Sequence, residues 1–311
     1  MISGKKILLV TALLSVLSGI LPVCAQDTSL LRTDVEFLAS DICAGRKTGT
    51  AGSSEAASYI ARRFEQNGLL KMSPSGYTMS FSSHGSYAGR NVIGMKAGWG
   101  DKCIVIAAHY DNLGILEGNV YPGADSNASG VAMLLSLIPE LSLINYPPNI
   151  IFVALDSYQT MSGAQDLLKR IDSGMLVNPN TGKTITRKSI SLFVNLDQIG
   201  SSLSPIHEGR GDYLIMLGAE KTRNLLTSLN IDGLDIAFDY YGSASFTDMF
   251  LNRVGDQRVF KDAGIPVAVF TSGITMLTNK REDTADSLDY DVMAKRFVLL
   301  YHYFDHALPV L

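Results

Sequence analysis

Three cysteines and one tryptophan in 311 residues are too few for a disulfide scaffold, and no long run of one charge interrupts the chain. The balance of 26 basic against 30 acidic residues, a formal charge of -4, leaves no basic stripe that could track a phosphate backbone, so no nucleic acid partner is expected. Beyond the first 25 residues no apolar stretch is long enough to span a bilayer, and no membrane span is expected. Internal repeats and low-complexity linkers are also missing. What remains is a chain 46% hydrophobic and 18% charged, enough apolar material for one sizeable core, so a single domain over 26–311 is expected.

Lys5 and Lys6 precede an apolar run from Ile7 to Leu21, and Val23-Cys24-Ala25 ends in a small residue. That is the pattern of a secretion signal over residues 1–25, and it implies a secreted or periplasmic protein. Cys24 invites a lipoprotein anchor, but Leu21-Pro22-Val23 lacks the small residue that normally precedes a lipidated cysteine. Past the signal, Cys43 falls in a polar loop, free or paired, and Cys103 lies inside the strand KCIVIAAH as a small core hydrophobe. Neither has the spacing of a zinc-thiolate site.

Apolar runs bounded by turn residues alternate with helical patterns, the signature of a layered α/β domain with a largely buried sheet. Helices are expected over Ser53 to Asn67, capped by Ser53 or Ser54 and closed by Gly68, and over Ala128 to Leu143, Met161 to Ile171, Glu220 to Leu229 and Tyr290 to His306. Strands are expected over Asn91 to Met95, Lys102 to Ala108, Asn149 to Leu155, Ser191 to Leu196, Tyr213 to Leu217, Leu234 to Tyr240 and Pro266 to Phe270.

Ligands of open α/β sheets bind beyond the carboxyl ends of the strands, and three candidate metal ligands fall at such ends: His109, Asp125 and Asp197. His109 follows the strand IVIAA and offers an imidazole nitrogen. Asp111, two residues on, points the same way in extended chain and can orient the ring by accepting its other N–H. Asp125 lies in the turn YPGADSNASG before a helix, and Asp197 ends the strand SLFVNL. One imidazole and two carboxylates form a hard, mixed set suited to zinc. Against this, a lone strand-end histidine is often only packed, and an aspartate in GADSN can simply cap the helix near Ala128.

Taken in order, LASDICAGRKTGTAGSSEAASYIARRFEQNGL, AAHYD, GADSNASGV, NLDQIG, FKDAGIPVAVF and EDTADSLDY resemble the segments of the secreted zinc aminopeptidase family. That family includes bacterial leucyl aminopeptidases and aminopeptidase S and, more distantly, glutamate carboxypeptidase and glutaminyl cyclase. The resemblance covers nearly the whole chain past the signal. It implies a three-layer α/β/α sandwich around a mixed, mostly parallel sheet of about eight strands. It also implies two zinc ions roughly 3.5 to 4 Å apart that activate a water, with Asp125 as the bridging carboxylate and His109 and Asp197 completing one metal's ligands.

The other half of that site departs from the family pattern. Where the family has a Glu-Glu pair, FVALDSYQTMSGAQ places Ser157 and Tyr158, or in the next register Tyr158 and Gln159. Asp156 is shorter and displaced along the chain. Late in the chain Thr275 and Asn279 stand where histidines are expected, and Gly255-Asp256-Gln257 replaces Ser-Asp-His. The general base is absent, and at most one zinc ion, or none, is expected.

Three readings follow from these departures. The first is a pseudo-peptidase that binds a peptide, amino acid or glycan without cutting it. The second is a mononuclear hydrolase using His109, Asp125 and Asp197. The third is a metal-free hydrolase reusing Ser157 or Tyr158, although no Gly-x-Ser-x-Gly elbow is present. His84, His207 and the pair His302 and His306 carry no clear chemistry, and Trp99 and Tyr240-Tyr241 could be packing or ligand-stacking groups depending on their burial.

Overall fold

The computed structural model describes residues 28–82, 88–203 and 211–310. The expected signal segment with Cys24, together with His84 and His207, lies outside the described residues. The elements in chain order are α1 (Thr28–Leu38), α2 (Ala51–Gln66), β1 (Leu70–Lys71), β2 (Thr78–Ser82), β3 (Ala88–Lys96), β4 (Cys103–His109), β5 (Gly114–Leu116), β6 (Asn119–Tyr121) and α3 (Ser129–Ser142). They continue with β7 (Asn149–Leu155), α4 (Ser162–Asp172), β8 (Ile190–Leu196), β9 (Tyr213–Gly218), α5 (Arg223–Ser228), β10 (Asp235–Ala237), α6 (Ala244–Asn252), α7 (Gln257–Asp262), β11 (Val267–Thr271) and α8 (Tyr290–Ala307).

A nine-stranded sheet runs in the order β1-β3-β7-β4-β8-β11-β9-β10, with β2 also paired to β3. Its centre, β7-β4-β8-β11, is parallel, and the antiparallel pairings lie to either side. Every residue of β4 and β7 is buried, which is why these strands read as continuous apolar runs rather than as alternations. Side chains nevertheless alternate between faces. Ile104, Ile106 and Ala108 join the core under α1, α2, α3 and α8, while Cys103, Val105 and Ala107 join the core under α4 and α7. Helices therefore cover both faces, in the three-layer arrangement expected.

Several boundaries differ from expectation. The second helix begins at Ala51 because Thr50, not Ser53 or Ser54, caps it, its hydroxyl accepting from Ser53 N at 3.3 Å. Helix α1 was not anticipated, yet its buried Leu31, Val35 and Leu38 keep the i, i+4, i+7 spacing of one helical face. The expected strand to Tyr240 stops at Ala237. Cys43 is fully buried in the main core rather than lying in a polar loop, and both described cysteines are free. The small β5–β6 hairpin packs onto Gly45, where a side chain would stand 2.6 Å from the Tyr121 carbonyl oxygen. No described helix is long and apolar enough to cross a membrane.

Candidate active-site cleft

Because β4, β7, β8 and β11 run parallel, their carboxyl ends reach one edge of the sheet, and a cavity of about 220 Å³ opens there. His109, Asp111, Ser126, Tyr158 and Asp197 line it together with the apolar groups Tyr240, Phe250, Val254, Val269 and Ile274. Among the described residues no lysine or arginine lines it.

His109 closes β4 and is 2% exposed. Its Nδ1 lies 3.1 Å from the Asp111 main-chain oxygen and 3.7 Å from Asp111 Oδ1. Asp111 thus meets Nδ1 with its main-chain oxygen and, at longer range, with its carboxylate. Its Nε2 lies 3.5 Å from Asp197 Oδ1 and makes no hydrogen bond. Burial pushes the imidazole toward the neutral form, but the Asp111 and Asp197 carboxylates outweigh it and raise the pKa to about 10.

The expected bridging carboxylate is not brought to this pair. Asp125 Oδ1 accepts from Gly200 N at 2.8 Å and Ser129 Oγ at 3.1 Å, and its own N–H donates to Asp283 Oδ1 at 2.7 Å. The turn leaves helical geometry at Ser126, with φ -110° and ψ 81°, and Ser126, not Asp125, lines the cavity. Asp125 thus ties the turn to the β8 end. Burial, then the neighbouring Asp283 charge, raises its pKa to about 7.

Tyr158 sits in a short turn bracketed by two left-handed residues, Ser157 at φ 65° and Met161 at φ 53°. Non-glycine residues hold that conformation only where the surroundings enforce it. Its ring stacks on the His109 imidazole with centroids 4.0 Å apart, and its hydroxyl donates to Asp197 Oδ2 at 3.1 Å. Its main-chain N–H donates to Asp111 Oδ1 and Oδ2 at 3.0 and 3.1 Å. Ser157 turns away, its hydroxyl donating to Thr48 Oγ1 at 3.1 Å, while Gln159 and Asn279 line the cavity and Thr275 does not.

Asp156 also points away from the cavity. It accepts from Thr48 Oγ1 at 2.7 Å, Ser157 N at 2.8 Å, Arg90 N at 2.9 Å and the Tyr110 hydroxyl at 3.1 Å. Burial, then the Asp111 charge, raises its pKa to about 6. Asp256 is fully buried with neither carboxylate oxygen hydrogen-bonded, and burial above all raises its pKa to about 8. Gln257, where the family pattern has histidine, is spent on structure: its Nε2 donates to the Phe250 and Val254 carbonyls at 2.6 Å each.

Residues not singled out by sequence complete the wall. Gln198 Nε2 donates to Ser126 Oγ at 3.1 Å, and Phe250 stacks on Tyr240 at 4.0 Å. Tyr240 is 2% exposed and lines the cavity, whereas Trp99 is 70% exposed and does not. Among the described residues no group of three or more His, Cys, Asp or Glu side chains is arranged to hold a metal ion. A zinc ion needs at least three protein donors here, and only His109 and Asp197 come together, so the residues present do not fit it.

An open α/β sheet with a cleft beyond its parallel strand ends is a framework that places ligand-binding side chains at one edge. Residues 91–303 match the model of peptidase family M28, and the chain belongs to that family. Among curated proteins no match is found. Of solved structures, LapB from Legionella pneumophila is 16% identical with a TM-score of 0.68, over 91% of this chain and 72% of that one. BSAP, a zinc aminopeptidase from Bacillus subtilis, is 14% identical with a TM-score of 0.65, over 91% and 95%. The Porphyromonas gingivalis glutaminyl cyclase is 16% identical with a TM-score of 0.66, over 90% and 98%. At these identities the likeness is one of fold.

Proposed function

We propose that this M28-family chain is an exported pseudo-peptidase that binds a peptide in its cleft and does not hydrolyse it. The observation that carries this reading is the state of the two carboxylates that line the cavity. Both oxygens of Asp111 accept from the Tyr158 N–H, and Asp197 accepts the Tyr158 hydroxyl on Oδ2 while its Oδ1 faces His109 Nε2, so both carboxylates are engaged by protein groups. The turn after β7, which could supply a base, contributes Tyr158 and Gln159 to the cavity instead. A general base alone is worth about 10² to 10⁴ in rate, roughly 3 to 5.5 kcal/mol.

A peptide is favoured over a smaller ligand by two exposed apolar side chains that neighbour lining residues in sequence. Ile115 and Met276, 54% and 74% exposed, stand within two residues of the lining residues Leu113 and Ile274. Apolar groups beyond the cavity suit a ligand that continues out of it. Export rests on Lys5, Lys6 and the apolar run to Leu21.

The test is a panel of aminoacyl amides and short peptides assayed with zinc, manganese and cobalt. No metal-dependent turnover is expected, while apolar peptides bind and the cavity-filling Gln159→Trp weakens them. Turnover that disappears in His109→Ala would replace this reading with a mononuclear hydrolase.

A further inference from the structure

We infer that Tyr158 takes over the tie that a metal ion would otherwise provide in this cleft, making the site a metal-independent cluster of His109, Asp111, Asp197 and Tyr158. The inference deepens the reading of the cleft as non-hydrolytic and rests on the same fold, but its test is separate.

Two donors on one tetrahedral zinc, at bond lengths of about 2.0 to 2.1 Å, stand about 3.3 Å apart. His109 Nε2 and Asp197 Oδ1 are 3.5 Å apart. The strand ends therefore still bring two side chains to a metal-bridging separation, and something must hold a buried imidazole and a carboxylate there.

Tyr158 is placed to do so through three different groups at once. Its ring covers one face of His109, its hydroxyl takes Asp197 Oδ2, and its main-chain N–H takes both oxygens of Asp111. A metal would link His109 to Asp197 directly, with Asp111 behind. Here one residue touches all three. Turning Asp197 toward a cation with both oxygens would break the phenol hydrogen bond, and tilting the imidazole would break the stack.

The third donor is missing for a local reason. The turn that would present a carboxylate presents Ser126, whose hydroxyl oxygen accepts from Gln198 Nε2, while Asp125 is committed to Gly200 and Ser129. A neutral hydroxyl that is already hydrogen-bonded is a poor zinc ligand beside a carboxylate. The strained turn 157–161 is held in place by Asp111 and Asp156, so Tyr158 is fixed by the fold and not by a cation.

The experiment compares wild type, Tyr158→Phe and Tyr158→Glu by thermal unfolding and by zinc titration calorimetry. Wild type is expected to show the same Tm with zinc or with EDTA and no zinc-binding heat. Tyr158→Phe, which loses only the hydroxyl, is expected to unfold a few degrees lower and to remain indifferent to zinc. Tyr158→Glu adds a carboxylate beside His109 and Asp197 and is expected to gain a zinc-dependent rise in Tm that His109→Ala removes. Stoichiometric zinc binding by wild type overturns the inference, and so does a Tyr158→Glu variant as indifferent to zinc as wild type. If Tyr158→Glu does not fold, the wild-type titration decides. Zinc binding without turnover would overturn this inference and leave the pseudo-peptidase reading standing.

Discussion

Two buried polar groups, Arg46 and the cluster at His109, lie on either side of Tyr110 and are treated in opposite ways. Arg46 is fully buried, and its guanidinium donates to Tyr110 O at 2.6 Å, Pro122 O at 2.7 Å, Gly123 O at 2.8 Å and to Leu38 O. It latches the loops around the β5–β6 hairpin to the end of α1. At the cleft, by contrast, His109 Nε2 and both oxygens of Asp256 have no hydrogen bond, and Asp125 Oδ2 has none. Desolvating polar atoms without partners costs free energy, so a fold optimised only for stability would not leave them. Of these unpartnered groups His109 alone lines the cavity, with Asp125 and Asp256 buried behind it, so the contrast is between a guanidinium that is fully engaged and carboxylates and an imidazole that are not.

Arg46→Ala should break that comparison most severely. Removing the guanidinium leaves the Leu38, Tyr110 and Pro122 carbonyls without this donor and Gly123 O with only the Ala128 N–H, and a loss of about 3 to 5 kcal/mol in denaturant unfolding is expected. A smaller loss would mean that the loops are held by apolar packing alone.

Asp256 tests the other side, and the sign is opposite. Its folded pKa, about 8, lies above the ordinary carboxylate value of about 3.9, so the fold favours the protonated form. The resulting stability is complete below about pH 4 and is lost as pH rises toward about 8. Asp256→Asn removes the titration. Its unfolding free energy should match wild type near pH 4 and exceed it increasingly up to pH 8, by an amount on the order of a few kcal/mol. A constant offset across that range would contradict the assignment. His109, with a folded pKa of about 10, adds stability that is present below about pH 6.5 and fades as pH rises through 10, so the profile should fall again there.

Gln159→Trp sharpens the comparison without touching a buried charge. Gln159 is exposed and lines the cavity, so the change is expected to alter stability by less than about 0.5 kcal/mol while weakening peptide binding, read by fluorescence anisotropy. Trp99→Ser is the smallest perturbation. The indole is exposed and lies off the cavity wall, so neither unfolding nor binding should move measurably.

Much of the framework was legible because burial on both faces writes itself as unbroken apolar runs. Asn149–Leu155 has the bounds expected from sequence, and Cys103–His109 lies within a residue of them. Positions at strand ends were legible for the same reason, since the end of a run locates His109 and Asp197. Side-chain direction within turns was not. Whether Asp125 or Ser126 faces the cleft depends on the dihedral angles of one turn, which residue types alone leave open. Tyr158 could be read as a gap-filling replacement, but its threefold engagement needs strands β4, β7 and β8 side by side. Tyr240 was legible as a packing or stacking group, whereas its partner Phe250 was missed because the helix Ala244–Asn252 that carries it buries no residue fully.

The most direct measurement is zinc content by elemental analysis of the purified protein after zinc loading and removal of free metal. Well under one zinc per chain, unchanged in His109→Ala, is expected from a cleft tied together by Tyr158. One zinc per chain, lost in His109→Ala, would contradict it.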